Sequence, residues 1–381
     1  MKRQQPPSLP GSLPLSRRQI LLGTAAAATA LTTQSRAAQR ADLNQASLAA
    51  LAAEKGLLLA ASFAVHEMDA SYGKAYAQAY IDNVGGITSE LCFKMGMLRP
   101  TADKLDFGPA DRLTNFAQQN GMKLRAHTLI WNDALPEWVH RLRAGEIELL
   151  MDAHLLSIME RYRGRVWAWD VVNEPIGPWD KLPGNLRNGP FYAAMGEGYI
   201  ARAFRAARGY DPMALLVLNE AQTETADGNG QIFRDSLLAL LKRLKAEDVP
   251  IDAIGLQSHL RSDRPYDMPR FVGFLDEIAA LGYAIHITEF DVNDVAYSGS
   301  IAARDQAVAK LYRDFLTPVL AHKAVKVLTF WQLADRNSWL TYGAKEKGMK
   351  RMPRPLPLDD DFQRKPAWYA LAEVLKGTPP R

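Results

Sequence analysis

The sequence has 381 residues, a formal net charge of +4, and ordinary globular proportions of hydrophobic (48%) and charged (23%) residues. This composition excludes a disordered or collagen-like chain, and the lack of any run of 18 apolar residues excludes a multi-pass membrane protein. The single cysteine, Cys92, excludes an intramolecular disulfide and a cysteine-based zinc or iron–sulfur site.

The first 37 residues have the pattern of a cleavable export signal. A weakly hydrophobic, Ala-rich run over 20–31 follows Arg17 and Arg18, and it is too short to span a bilayer as a helix. Ser35 and Ala37 place small residues at the −3 and −1 positions of a cleavage site. The paired arginines resemble a bacterial twin-arginine signal, with an ordinary secretory signal as the alternative. We expect export to the periplasm or the extracellular space, with no membrane anchor after cleavage.

The basic excess of the chain lies within this signal. Residues 1–37 contain five Lys and Arg side chains and no acid, so residues 38–381 carry a net charge of −1. The overall basicity therefore gives no reason to expect a nucleic-acid partner. No linker rich in Pro, Gly or Ser divides residues 38–381, so we expect them to form one catalytic domain. We expect the protein to be a monomer.

Eight short apolar runs alternate with longer amphipathic segments after the signal. The predicted strands are Leu57–Val65, Ile87–Phe93, Lys123–Ile130, Val166–Asn173, Leu215–Asn219, Ala253–Ser258, Ala284–Phe290 and Val325–Trp331. Helical spacing predicts Pro109–Gln119, Glu146–Arg163, Phe191–Ala207, Gly230–Lys245, Met268–Leu281 and Ala302–Leu320 between them, several of which end at a glycine.

This alternation predicts an α/β fold, a (β/α)8 TIM barrel in a single domain, because each strand is apolar enough to be buried on both faces. A doubly wound open sheet is the structural alternative. Such a sheet normally carries a glycine-rich phosphate loop after its first strand, and residues 63–67 contain no glycine.

The C-terminal ends of the predicted strands carry a concentrated set of polar and aromatic residues, and in barrels of this type those ends hold the functional groups. Indole faces stack on pyranose rings, and carboxylates and amides bind hydroxyl groups. The residues predict a carbohydrate site; they are Glu90, Lys94, His127, Trp131, Asn173, Glu174, Gln257, His259, Glu289, Asp291, Trp331 and Trp339.

Two glutamates in this set, Glu174 and Glu289, follow the fourth and seventh predicted strands. A pair of carboxylates is the usual equipment for glycoside hydrolysis, with one as acid/base and one as nucleophile. A purely structural interpretation stays open for the neighbours: His127 and Trp331 could be packing residues, and His259 with Asp291 could be a structural pair.

The chain resembles glycoside hydrolase family 10, the endo-β-1,4-xylanases, over roughly residues 57–377. The segments that carry the resemblance are Trp169–Pro175 (WDVVNEP), Ile287–Val292 (ITEFDV), His127–Trp131 (HTLIW), Gly255–His259 (GLQSH), Trp331 with Asp335, Ser338 and Trp339, and the closing segments Pro355–Asp359 and Lys365–Tyr369. Their number and order make the resemblance specific.

The resemblance implies a mechanism that retains configuration, with the two carboxyl groups about 5–5.5 Å apart. Glu174 would be the acid/base and Glu289 the nucleophile, held charged by His259 and Asp291. Asn173 would bond the 2-hydroxyl of the sugar being cleaved.

The remaining site residues would surround that sugar. The resemblance places Lys94, His127 and Gln257 in the same subsite, with Glu90 and Trp131 in support. Trp331 and Trp339 would form its aromatic wall. The partner is a polysaccharide or oligosaccharide, and no metal or organic cofactor is required.

Four residues at three places in the chain depart from the family pattern. Leu91 stands where the family has an asparagine after the second strand. Asn132 and Ala134 follow Trp131 where the family continues His-Ser-Gln, and Ala221 replaces a tyrosine after the fifth strand. We expect a retaining, endo-acting β-glycoside hydrolase that cleaves a β-1,4-linked polysaccharide, with xylan as the first guess. The departures give the alternative, which is a decorated xylan, a different β-glycan or an exopolysaccharide.

Two other classes of protein remain as alternatives. A non-catalytic carbohydrate-binding barrel is disfavoured because both glutamates are present. A metal-dependent barrel enzyme is disfavoured because His66, Glu67 and His286 have no spacing typical of ligands, and we expect them to pack in the core or rim.

Overall fold

The computed structural model describes residues 47–381. The predicted signal, residues 1–37, lies outside the described residues. Strands β1 to β9 are Leu58–Phe63, Gly86–Ser89, Lys123–Ala126, Ala168–Asn173, Leu215–Glu220, Ala253–Leu256, His259–Arg261, Ala284–Asn293 and Val325–Phe330. Helices α1 to α12 are Leu48–Ala53, Gly73–Asn83, Met95–Leu98, Gly108–Gln119, Ala144–Tyr162, Pro190–Met195, Gly198–Tyr210, Gly228–Ala246, Met268–Ala280, Ile301–Ala321, Trp339–Glu346 and Pro366–Gly377.

Eight parallel strands close into a barrel. The strand order is β6-β5-β4-β3-β2-β1-β9-β8, and a parallel pairing between β6 and β8 completes the circle. The short β7 pairs with the far end of β8. The predicted (β/α)8 barrel is confirmed, and the open-sheet alternative is wrong because β1 pairs with β9.

The eight predicted strands are all present, although their ends differ. β2 stops at Ser89, four residues before the predicted end, because its pairing with β1 ends there. β3 stops at Ala126. β8 instead continues to Asn293, where its last residues pair with β7.

The predicted helix Phe191–Ala207 is wrong as a single helix. The chain forms α6 and α7 there, separated at Gly196, whose φ of 59° and ψ of −156° lie in a region that only glycine adopts readily. The other five predicted helices are confirmed within three residues at either end.

The core has an interior layer and an outer layer. Ala168, Val217 and Ala253 pack together inside the barrel. Outside it, α12 packs against α10 and α1. Cys92 is buried. Among residues 47–381, no helix combines the length and apolar character needed to cross a membrane.

Candidate active site

The C-terminal ends of the strands open into one cleft of about 360 Å³. Eleven of the twelve predicted site residues line it: Glu90, Lys94, His127, Trp131, Asn173, Glu174, Gln257, His259, Glu289, Trp331 and Trp339. The twelfth, Asp291, is buried beneath His259. The barrel therefore brings together residues that lie as far as 249 positions apart in the sequence.

Glu174 follows β4 in a left-handed conformation, with a φ of 51°. Non-glycine residues rarely adopt this conformation, and it is often found at functional sites. Gln257 Nε2 donates to Glu174 Oε1 at 2.9 Å. Trp131 Nε1 at 3.0 Å and Arg187 Nη1 at 2.9 Å both donate to Oε2. The carboxylate is thus fixed by three donors and remains one-fifth exposed to the cleft.

Glu289, on β8, is buried on the other side of the cleft. Asn219 Nδ2 donates to its Oε1 at 2.8 Å, and His259 Nε2 lies 3.2 Å from its Oε2. Burial alone would raise the pKa of this carboxyl, but the His259 hydrogen bond and nearby positive charges outweigh it and hold the pKa below the ordinary value. Glu289 is therefore ionised at neutral pH.

His259 connects Glu289 to a second carboxylate. The pairing of β7 with β8 sets His259 opposite Asp291, and His259 Nδ1 lies 3.0 Å from Asp291 Oδ1. Burial opposes the imidazolium, yet the two carboxylates raise the pKa of His259 well above its ordinary value. Trp339 Nε1 donates to Asp291 Oδ2 at 2.7 Å, which anchors a ring that is 46% exposed.

A buried ion pair supports His127 from below. Asp170 accepts from His127 Nδ1 at 2.7 Å and from Arg125 Nε at 2.9 Å. Burial would raise the pKa of Asp170, but Arg125 and His127 keep it below the usual value. This network fixes the orientation of the imidazole that lines the cleft.

Glu90 and Lys94 line the cleft, and Lys94 lies over the rings of Trp131 and Trp331. Burial raises the pKa of Glu90 to about 7, although Gln332 donates to its carboxylate. Burial lowers the pKa of Lys94, against the attraction of Glu90 and other carboxylates. The Lys94 ammonium lies 4.7 Å from the ring centre of Trp131, within cation–π range.

A second cleft of about 470 Å³ continues from the first past Glu174 and Trp339. Ala221 and Glu224 line this side. On the opposite side Leu91 is 37% exposed and lines the first cleft. The two clefts share Glu174, Gln257, His259 and Trp339 and together form an elongated groove, which suits a chain-like ligand.

The residues considered for a metal site do not form one cluster: His66 Nε2 lies 3.6 Å from Glu67 Oε1, and His286 is not grouped with them among the described residues. Glu67 accepts hydrogen bonds from Tyr72 and Tyr342, and His66 is mostly exposed. His286 is buried in the barrel, where its pKa falls to about 3, and it stacks on Trp167. Within the described part of the chain, no three His, Cys, Asp or Glu side chains group as metal ligands.

The sequence pattern of glycosyl hydrolase family 10 matches residues 47–374. The chain belongs to this family. Among curated relatives, a β-1,4-xylanase of Dictyoglomus thermophilum is 33% identical over 300 residues, covering 76% of this chain and 81% of the relative. Endo-1,4-β-xylanase 3 of Hypocrea jecorina is 31% identical over 295 residues, covering 77% and 76%.

Solved family 10 structures agree with the barrel. Xylanase 10B from Thermotoga maritima superposes with a TM-score of 0.79 at 29% identity, covering 87% of this chain and 98% of that one. Xylanase 10B from Thermotoga petrophila, solved in complex with xylobiose, gives 0.78 at 28% identity, with the same coverages. The chain is therefore a glycoside hydrolase.

Several polar residues of the site were not among the predicted ones, including Asp170 beside His127 and Gln332 beside Glu90. Asn219 contacts Glu289, Arg187 contacts Glu174, and Arg125 supports Asp170. Asn219 could have been found from its place at the end of an apolar strand. Arg187 lies in an irregular segment with no periodic signal, and Arg125 lies within a strand, where charge alone does not indicate a partner.

Proposed function

We propose that the protein is a retaining endo-β-glycosidase that cleaves a β-1,4-linked polysaccharide, with xylan as the first substrate to test. The observation that carries the proposal is the contrast between two carboxyls at one cleft. Glu289 is buried and held ionised by Asn219 and His259, as a nucleophile must be. Glu174 is more exposed and fixed at the far side, as an acid/base must be.

The reaction runs in two displacements. Glu289 attacks the anomeric carbon while Glu174 donates its proton to the departing glycosidic oxygen, which leaves a covalent glycosyl-enzyme. Glu174, now a carboxylate, removes a proton from water. That water attacks the anomeric carbon, releases Glu289 and gives a product of unchanged configuration.

Asn173 is placed to bind the reacting sugar. Asn219 Nδ2 donates to Asn173 Oδ1 at 2.7 Å, which fixes the orientation of the amide. Asn173 Nδ2 is then a buried donor without a hydrogen-bond partner among the described residues. A sugar hydroxyl would satisfy it, and such a bond supports the role of Asn173 at the 2-hydroxyl.

The proposal is tested by replacing each carboxylate. We expect Glu289→Gln to lower kcat on xylan by at least about 10³-fold, since no nucleophile remains. Glu174→Ala should lose activity on xylan but regain it on an activated aryl glycoside when azide is added, because azide needs no base. The control Glu137→Gln, at an exposed residue that lines neither cleft, should keep full activity. Unchanged turnover in Glu289→Gln would refute the assignment.

Xylan is supported as the substrate by the relatives named above, because all of them are xylanases. A second candidate, a decorated xylan or another β-glycan, is favoured by the exposed Leu91 in the cleft and by Ala221 beside Glu174. An alkyl side chain cannot replace the hydrogen bond of an amide to a sugar hydroxyl.

We also propose that the protein is exported through a twin-arginine route to the periplasm or beyond and acts there as a monomer. The proposal rests on Arg17, Arg18 and the Ala-rich run that follows. Replacing both arginines by lysine should leave the full-length precursor in the cytoplasm of the expressing cells, as seen by fractionation and immunoblotting. Unchanged export would indicate the ordinary secretory route.

A further inference from the structure

Arg187 bridges the acid/base to a carboxylate outside the catalytic pair. Its Nη1 donates to Glu174 Oε2 at 2.9 Å, and its Nη2 donates to Asp133 Oδ1. The guanidinium is 13% exposed, whereas Asp133 is half exposed. One charged group therefore divides its hydrogen bonds between the catalytic centre and the surface.

The backbone holds Arg187 at this place. After Glu174 the chain leaves the barrel and returns through an antiparallel bridge between Ile176 and Leu186. Arg187 N then donates to Pro175 O at 2.7 Å, next to the acid/base. A Cβ on Gly177 would lie 3.0 Å from Arg187, so the two strands of this loop are in close contact.

Asp133 belongs to the segment that departs from the family pattern after Trp131. Trp131, which immediately precedes this segment, also contacts the acid/base. Its Nε1 donates to Glu174 Oε2, the oxygen to which Arg187 also donates. The unusual sequence at Asn132–Ala134 thus places a negative charge beside the arginine that bonds the acid/base.

The hydrogen bond from the Arg187 guanidinium to Glu174 is charge-assisted, and such a bond is stronger to a carboxylate than to a carboxylic acid. The second displacement needs the carboxylate, because the base must accept a proton from water. The first displacement needs the protonated form. Asp133 competes for the positive charge of Arg187 and so opposes its effect.

We propose that Arg187 is a positioning residue that stabilises the basic form of Glu174, and that Asp133 limits this stabilisation. The inference rests on the proposed acid/base role of Glu174. The Arg187–Asp133 pair would then set the balance between the two displacements.

Other charged groups also face the acid/base. Lys94 and Glu289 line the same cleft, and the buried Glu220 on β5 accepts from Ile176 N and Ala221 N behind it. The Arg187 and Asp133 variants leave all of these groups unchanged. A difference in pH profile between these variants therefore reflects Arg187 and Asp133.

The test compares Arg187→Gln, Arg187→Lys and Asp133→Asn by pH profiles of kcat/KM and by two substrates. The probes are xylan and a 2,4-dinitrophenyl β-xylobioside, whose departure needs no proton. In Arg187→Gln we expect the alkaline limb on xylan to move to higher pH by about 0.5 to 1 unit. Asp133→Asn should move the alkaline limb to lower pH. In Arg187→Lys the limb should lie close to its position in the unchanged protein.

The two substrates separate the displacements. For the dinitrophenyl glycoside the second displacement limits kcat, so Arg187→Gln should lower kcat by about 10-fold with little change in the first-turnover burst. An equal loss at every pH and on both substrates, in Arg187→Gln and Asp133→Asn alike, would show a packing role and overturn the inference. Failure of the acid/base assignment itself would instead appear as full activity of Glu174→Ala on xylan.

Discussion

Glu289 keeps its charge in a buried place because His259 stands between it and Asp291. The imidazole lies 3.2 Å from Glu289 Oε2 and 3.0 Å from Asp291 Oδ1. These two carboxylates raise the pKa of His259 well above its ordinary value, which favours the imidazolium. The chain of carboxylate, imidazolium and carboxylate therefore carries one negative charge that is shared over three side chains.

This arrangement predicts how acid affects activity. In the proposed mechanism Glu289 must be ionised to attack. Its pKa is held below the usual value, so activity should extend to lower pH than an ordinary glutamate would allow. His259→Gln removes the imidazolium, which should raise the pKa of Glu289 and move the acid limb of kcat/KM to higher pH. His140→Gln, an exposed site, is the matched control. An unmoved acid limb in His259→Gln would contradict the role of this histidine.

At the scale of single residues, the sequence predicts the groups that lie within recognisable strand-end motifs. Glu174, Gln257, His259 and Glu289 all reach the cleft as expected. Arg187 could not be predicted in the same way, because its contact with Glu174 depends on how the loop after β4 folds back. A residue in an irregular segment has no period that would assign it to a face.

Single elements differ from the expectation where the backbone leaves its regular path. β2 ends at Ser89, and Phe93 is buried outside the strand, between helix and barrel: its ring centre lies 4.9 Å from that of Tyr162 and 5.8 Å from that of Trp169. An apolar run cannot by itself distinguish these two ways of being buried. The break at Gly196 was equally hidden, because the apolar spacing continues on both sides of it.

The early end of β2 brings Leu91 to the groove, and this element carries a prediction on specificity. Leu91→Asn restores an amide that can bond a sugar hydroxyl, so kcat/KM on short linear xylooligosaccharides should rise by about 5- to 10-fold. Met97→Asn, an exposed neighbour outside the first cleft, serves as the control. The measurement is the initial rate of product release by chromatography. No change would show that Leu91 contacts no sugar of a linear chain, and a fall would show that the alkyl side chain itself favours that chain; either result would contradict the prediction.

A buried ion pair between Lys365 and Asp335 joins the C-terminal part of the chain to the rim of the barrel. Lys365 Nζ lies 2.8 Å from Asp335 Oδ2 and donates to the carbonyl oxygens of Arg354 and Leu356 at 3.0 Å each. Burial raises the pKa of Asp335 to about 6 in spite of Lys365. The pair ties the chain that precedes α12 to the rim segment after β9.

We expect Lys365→Met to lower the free energy of unfolding by about 3 kcal/mol, since it leaves a buried carboxylate without its main partner. Arg354 Nη1 remains 3.7 Å from Asp335 Oδ2, so the loss should be at the low end of the range for a broken buried ion pair. The loss should be smaller at pH 5 than at pH 8, because Asp335 is largely protonated below its raised pKa. Urea unfolding at both pH values measures it, with the exposed Lys350→Met as control. Equal losses at both pH values would contradict the role of Asp335.

The pairing of β1 with β9 has a consequence for how the protein becomes active. Trp331 follows the last strand and Glu90 follows the second, so the two walls of the cleft meet only when the ends of the barrel have joined. The part of the chain from β4 onward contains Glu174, Glu289 and the two tryptophans that follow β9, whereas Glu90 and Lys94 reach the cleft only from the end of β2. The lining of the cleft is therefore complete only in the closed circle, and a chain that stopped before the end of β9 would lack Trp331 and Trp339.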